Sequence, residues 1–129
     1  MTAAAAVAAL EPIEESEFRA RGQFEGNRLN VYLWGNADQR GRTLFDTFLE
    51  TADRESVAAG VKEVVVDFRE LMFMNSACLK SLVTWLRRVQ ERPPERQYAI
   101  RFLQEPEAHW QIRSFSALVA FGRGVLTVE

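Results

Sequence analysis

One cysteine, Cys78, and one histidine, His109, are all that this chain offers of the two residue types most used as metal ligands and activated nucleophiles. A lone cysteine excludes an internal disulfide and any CxxC metal pair, and it fits a reducing compartment. His109 stands beside Trp110, far along the chain from both Ser76 and Cys78. No GxSxG elbow surrounds either of those potential nucleophiles, so a hydrolase triad has no support. Without carboxylate or cysteine ligands nearby, His109 reads as a surface or helix-start residue. An excess of positive charge is also missing: 16 Lys and Arg against 18 Asp and Glu give a net charge of -2. The arginines are scattered, so the electrostatic footprint of a nucleic-acid binder is not expected. No apolar run reaches the roughly 20 residues that cross a bilayer. Gly122-Arg123-Gly124 lacks the third glycine and the strand-to-helix setting of a dinucleotide loop, which makes it a turn. These absences point away from an enzyme, a metal, a cofactor, nucleic acid and a membrane.

What is present is a chain of 129 residues, 47% hydrophobic and 26% charged, the size and apolar content of one ordinary domain. Residues Thr2 to Leu10 are almost all alanine, with no positive charge before them and an acidic stretch, Glu11 to Glu17, after them. That is a poor signal peptide, and a cytoplasmic product is expected. Residues 1–16 are assigned to an accessory tail, frayed or a marginal helix, because alanine favours helix but offers little apolar area to dock. A single domain is expected over 17–129.

Periodicity sets out the elements of that domain. Apolar and polar residues alternate from Phe18 to Phe24 and again from Leu29 to Gly35, with turn residues Glu25-Gly26-Asn27-Arg28 between them, which predicts an antiparallel hairpin. Leu44, Phe45, Phe48, Leu49 and Ala52 recur at helical spacing, so a helix is expected between Arg42 and Ala59 with Gly60 at its end. Val61 to Phe68 reads as a central strand, apolar on both faces as if covered by helices on each side and closed by Asp67. A second helix, Ser76 to Glu91, carries Leu79, Leu82, Val83, Leu86 and Val89 on its core stripe and stops at Pro93-Pro94. Gln97 to Leu103 is a further strand, Glu107 to Phe121 a third helix, and Val125 to Val128 a short closing strand. The fold class is therefore α/β: a mixed sheet opened by an N-terminal antiparallel hairpin, with helices packed against it.

Ser76 is the residue that chemistry singles out. The first turn of a helix has unpaired N–H groups and the positive end of the dipole, so a hydroxyl there either caps the helix or offers a place where a phosphate is held. Ser76, Lys80, Thr84 and Arg87 follow one another at helical spacing along one edge. That edge is either an ordinary solvated face or a docking surface that a phosphate on Ser76 would alter. Cys78, in the same first turn, is expected to pack rather than react. Asp67 reads either as a functional group at a strand end or as a cap for loop backbone. Tyr32 and Trp34 on the hairpin offer a surface for self-association unless a helix covers them.

The run Gly35-Asn36-Ala37-Asp38, the helix Leu44 to Ala52, the strand Val64-Val65-Val66-Asp67-Phe68 and the helix start Phe73-Met74-Asn75-Ser76-Ala77-Cys78-Leu79-Lys80 resemble a STAS domain, the family of anti-sigma factor antagonists. The resemblance covers about Phe18 to Val128 and is strongest from Val64 to Leu86. Where the family has Asp-Ser-Ser-Gly-Leu-Gly, this chain has Asn75 for the aspartate, Ala77 for the second serine, and Cys78 and Lys80 for the two glycines. The resemblance implies a non-enzymatic switch. A serine kinase that doubles as an anti-sigma factor phosphorylates the position of Ser76, and a PP2C-like phosphatase restores it. Asn75, Lys80, Thr84, Arg87, Asp38 and Asp67 are then the candidate partner-binding residues. The departures imply a divergent member with its own partner. A constitutive interaction or assembly subunit, with the same fold and no phospho-switch, is the alternative.

Overall fold

The computed structural model describes residues 9–129. Three strands come first, β1 (Ile13–Glu14), β2 (Phe18–Glu25) and β3 (Arg28–Ala37). They are followed by α1 (Arg42–Ala59), β4 (Glu63–Met74), α2 (Ser76–Gln90), β5 (Ala99–Leu103), α3 (His109–Phe121) and β6 (Leu126–Val128). The strands form one six-stranded sheet in chain order, β1 to β6. The pairings β1/β2 and β2/β3 are antiparallel, and those from β3 to β6 are parallel. The hairpin turns on Gly26, whose φ of +59° is open to glycine at no steric cost. α1 ends where expected: Gly60 takes a left-handed conformation at φ 71°, and its N–H donates to the carbonyls of Ser56 and Val57.

Each parallel connection adds its strand on the same side of the previous one. With crossovers of one hand, that order brings α1, α2 and α3 to a single face of the sheet. The core follows. Leu29, Val31 and Leu33 of β3, Val64, Val66 and Phe68 of β4, and Ile100 and Phe102 of β5 are buried against the helices. Phe68, Phe102 and Phe115 meet with ring centroids 4.6 to 5.2 Å apart. The other face carries Arg19, Arg21, Asn30, Tyr32, Trp34, Asp67 and Arg101, all exposed or half-buried. A central strand covered on both faces is therefore corrected: helices cover one face only, and Val65 is the apolar residue that β4 places on the other.

β4 is also longer than its apolar run. The strand expected to end at Phe68 continues through Arg69 and Glu70 to Met74, because β3 keeps pairing with it. Two register shifts, between Tyr32 and Trp34 and between Gly35 and Asn36, absorb the extra residues. Gly35 makes this possible: its φ is +88°, and a Cβ there would stand 2.1 Å from the Glu17 carbonyl oxygen. Asp67 consequently lies in mid-strand, opposite Tyr32 and Leu103, rather than at the strand's end.

Part of the segment assigned to the tail joins this sheet. Leu10 and Ile13 are buried, Ile13 pairs with Ala20, and the Leu10 N–H donates to the Gly22 carbonyl at 2.9 Å. Two well-spaced apolar side chains, Leu10 and Ile13, supply the area that docks this segment. The part of the expected tail before residue 9 lies outside the described residues. Buried polar groups tie the helices down. Gln111, fully buried on α3, donates to the carbonyls of Phe68 and Leu71 at 2.8 and 3.1 Å and accepts from the Glu105 N–H at 2.7 Å. Asp53 of α1, itself 3% exposed, pairs with Arg92 and accepts from the Tyr98 hydroxyl at 2.6 Å. That hydroxyl in turn accepts from Trp85 Nε1 at 2.7 Å.

Candidate functional site

The start of α2 is held by the ends of two strands. β4 delivers the chain to Met74, and the Asn75 N–H donates to the Ala37 carbonyl at 2.9 Å, which fixes the helix start against the end of β3. Asn75 keeps an extended backbone at φ -78° and ψ 169°, and its side-chain oxygen accepts from the Cys78 N–H at 3.0 Å. Asn75 is therefore the cap. Ser76 is the first helical residue, exposed, and its hydroxyl forms no hydrogen bond among the described residues. The capping reading of Ser76 gives way, because the neighbour's longer amide reaches the first-turn N–H that a serine would otherwise take.

Behind it the edge is as the spacing placed it: Ser76, Lys80, Thr84 and Arg87 are all exposed. The Thr84 hydroxyl donates back to the Lys80 carbonyl at 3.1 Å. Among the described residues, neither Lys80 nor Arg87 forms an ion pair, whereas Arg88 and Arg92 both reach Asp53. Lys80 and Thr84 also flank a groove of about 270 Å³ between α1 and α2, floored by Leu49 and Trp85. Asp46 on its far wall pairs with Arg42 at 3.6 Å and holds the Ser81 hydroxyl.

Cys78 is fully buried, and its thiol donates to the Asp38 carbonyl at 3.8 Å. Burial, reinforced by the Asp46 and Asp38 carboxylates, pushes the thiol up to about 11. The packing reading holds, and the helix dipole does not activate this residue. Asp38 touches the α2 start through its backbone. Its carboxylate accepts from the Arg40 N–H at 3.0 Å and guanidinium at 3.3 Å. Desolvation works against that charge, and the Arg40 bonds outweigh it to lower the pKa. Asp67 is held by Arg69, whose backbone N–H and guanidinium donate at 2.8 to 3.0 Å and lower its pKa against the opposing effect of burial. It stands seven residues up the strand from Met74, about 20 Å at strand rise, and is not part of the α2 site.

Two neighbours escaped the pattern reading. Met72 and Phe73, at the end of β4, are 71% and 47% exposed. The sequence shows them only as a short apolar stretch before the helix. They lie where β4 runs on past its last β5 partner, Asp67, and pairs irregularly with β3, which no periodicity reveals. Tyr32 and Trp34 stack on the uncovered sheet face with centroids 6.1 Å apart, and Arg19 sits 5.9 Å from the Trp34 ring centre. Among the described residues no helix lies over them. His109 is an exposed first residue of α3. Among the described residues no three His, Cys, Asp or Glu side chains gather to hold a metal ion, and no helix is long and apolar enough to cross a membrane.

No family model matches the chain, and no curated protein matches it by sequence. Solved structures do match in shape. An anti-sigma factor antagonist from Mycobacterium paratuberculosis superposes with a TM-score of 0.62 at 14% identity, over 88% of this chain and 87% of that one. The anti-sigma factor antagonist SpoIIAA in its unphosphorylated form superposes with a TM-score of 0.59 at 12% identity, over 85% of this chain and 87% of that one. The chain has the STAS fold of these proteins.

Proposed function

We propose that this chain is a regulatory protein-binding module of the anti-sigma factor antagonist type, without turnover of its own, switched by phosphorylation of Ser76. The observation that carries this reading is a hydroxyl at the first position of α2 that is exposed and bonds to none of the described residues, because Asn75 already caps the helix. In the switching step a kinase transfers the γ-phosphoryl of ATP to Ser76 Oγ; the hydroxyl proton is lost and ADP leaves. A PP2C-like phosphatase reverses it with water. The product carries about -2 of charge and three strong acceptor oxygens at the positive end of a helix dipole. Exposed Met72 and Phe73 supply the apolar centre of a docking surface, and Asn75, Lys80, Thr84 and Arg87 its polar side. A partner seated across that surface must desolvate the phosphate or leave. The partner kinase is then also an anti-sigma factor of the cytoplasm, where ATP is supplied, and the unmodified chain frees that kinase's other client by binding it.

The test is incubation with the cognate kinase and ATP followed by intact-mass measurement. One added phosphate, abolished by Ser76→Ala, supports the switch. Unchanged mass with a kinase proven to bind the chain removes it. A second reading, a constitutive assembly subunit, is favoured by the stacked Tyr32/Trp34 pair on the uncovered sheet face. Light scattering that stays at the monomer mass across concentrations counts against it.

A further inference from the structure

The charge on α2 is one-sided. From Ser76 to Gln90 the helix holds Lys80, Arg87 and Arg88 and no acidic residue, in a chain whose net charge is -2, so the rest of the molecule is net acidic. Arg88 is engaged at Asp53, which leaves Lys80 and Arg87 as the cations of the exposed edge that form no ion pair among the described residues. Asp46, an acid that lines the groove with Lys80, is paired with Arg42 and the Ser81 hydroxyl. Glu50 stands on the groove's far wall, and Glu91, past the helix end, makes no ion pair with Arg87. Lys80 and Arg87 are two turns apart on one side of the helix, a span of about 10 Å, with Thr84 between them. That matches two acidic side chains on a partner helix or strand.

We infer that the outer edge of α2 docks an acidic segment of a partner protein through Lys80 and Arg87, and that phosphate on Ser76 withdraws Lys80 from it. This rests on the docking reading of α2 given above. A phosphate four residues before a lysine has the favoured order of an acid and a base on a helix, so it pairs with Lys80 within the chain and repels the same acidic segment. A nucleic acid is the poorer fit, because two cations release few counterions. A membrane is the poorer fit, because the apolar side of α2 is buried in the core and two cations fall short of a polybasic cluster.

The experiment titrates the full-length chain at low salt with a short Glu/Ala-rich helical peptide and follows backbone amide NMR shifts. Its Lys/Ala counterpart, single-stranded oligothymidylate and anionic vesicles are run in parallel. Shifts should centre on residues 76–88. The double variant Lys80→Glu/Arg87→Glu should bind the acidic peptide about tenfold more weakly with an unchanged melting temperature, while Arg19→Glu/Arg21→Glu on the open sheet face leaves binding intact. Phosphoserine installed at position 76 should weaken the same binding several-fold. Shifts at another basic cluster, equal weakening by the Arg19/Arg21 variant, or tighter binding of oligothymidylate or vesicles than of the peptide would overturn the inference. A chain that takes phosphate on Ser76 yet fails to bind the acidic peptide keeps the switch and loses this partner chemistry. The reverse result separates them the other way.

Discussion

The assignment of the cap to Asn75 and of a free hydroxyl to Ser76 makes opposite demands on two adjacent alanine substitutions. In Asn75→Ala the Cys78 N–H loses the side-chain oxygen 3.0 Å away, and Cys78 is fully buried, so water replaces that acceptor poorly. An N-cap of this kind is worth about 1 kcal/mol. For a domain of this length that is a fall of about 3 to 6 °C in melting temperature. Ser76→Ala removes no bond and puts a better helix former at the first helical position, so stability should be unchanged or higher by a few tenths of a kcal/mol. Asn75→Asp keeps an acceptor at the cap and adds a charge favourable to the helix start, so it should stay within about half a kcal/mol of the parent. Urea unfolding followed by the fluorescence of buried Trp85 reads all three, with equal slopes confirming that only stability has moved. A costly Ser76→Ala beside a neutral Asn75→Ala would refute the assignment, since Ser76 would then be the cap and its oxygen would be committed.

Leu10→Ala should cost about 2 kcal/mol by urea unfolding, because the side chain is 6% exposed against the sheet; a neutral result would return residues 9–14 to the tail. Tyr98→Phe strips the oxygen that accepts from Trp85 Nε1 and donates to Asp53, and should cost about 1 to 3 kcal/mol with a shift in tryptophan emission. A loss below about 0.5 kcal/mol would mean that the network adds nothing beyond packing. The Cys78 thiol, raised from 9.0 to about 11, should react with a thiol-specific disulfide reagent about a hundredfold more slowly than an unfolded thiol near neutral pH. Since the folded state holds that proton more tightly, the contribution is complete below about pH 9 and fades as the pH rises towards 11, a slope that Cys78→Ala should remove. Prompt labelling of the native protein would contradict the burial.

Where a single rule governs, the chain announces its structure. α1 runs over the residues its apolar spacing marked, because Phe45, Phe48, Leu49 and Ala52 face the sheet and Gly60 can take the left-handed end. The hairpin is legible for the same reason: alternation and turn chemistry agree. Legibility fails where pairing with a distant strand decides. The apolar run ends at Phe68, and only the shifted register with Trp34 and Gly35 carries β4 on to Met74. The bare face of the sheet is likewise a property of the order in which strands are added, so Val65 beside Val64 and Val66 suggests two covered faces where there is one. At the site, helical spacing put Ser76, Lys80, Thr84 and Arg87 on one edge. It could not tell whether Asn75 or Ser76 caps, which depends on how β3 and β4 hold the chain at Ala37 and Asn75.

The departures from the STAS helix start acquire different weights once they are placed. Cys78, standing for a glycine, is fully buried against the β3–α1 junction with its thiol on the Asp38 carbonyl, so its side chain adds nothing to the surface. Ala77 is half-buried and contributes one methyl group. Asn75 keeps the capping role open to an aspartate and removes one negative charge from the helix start. Lys80 alone adds an exposed side chain and a charge. The four changes therefore leave the fold untouched and shift the electrostatics of α2 in one direction, towards positive, at Asn75 and Lys80 together. On the proposed docking surface, a shift of that sign disfavours a basic partner groove and favours an acidic one.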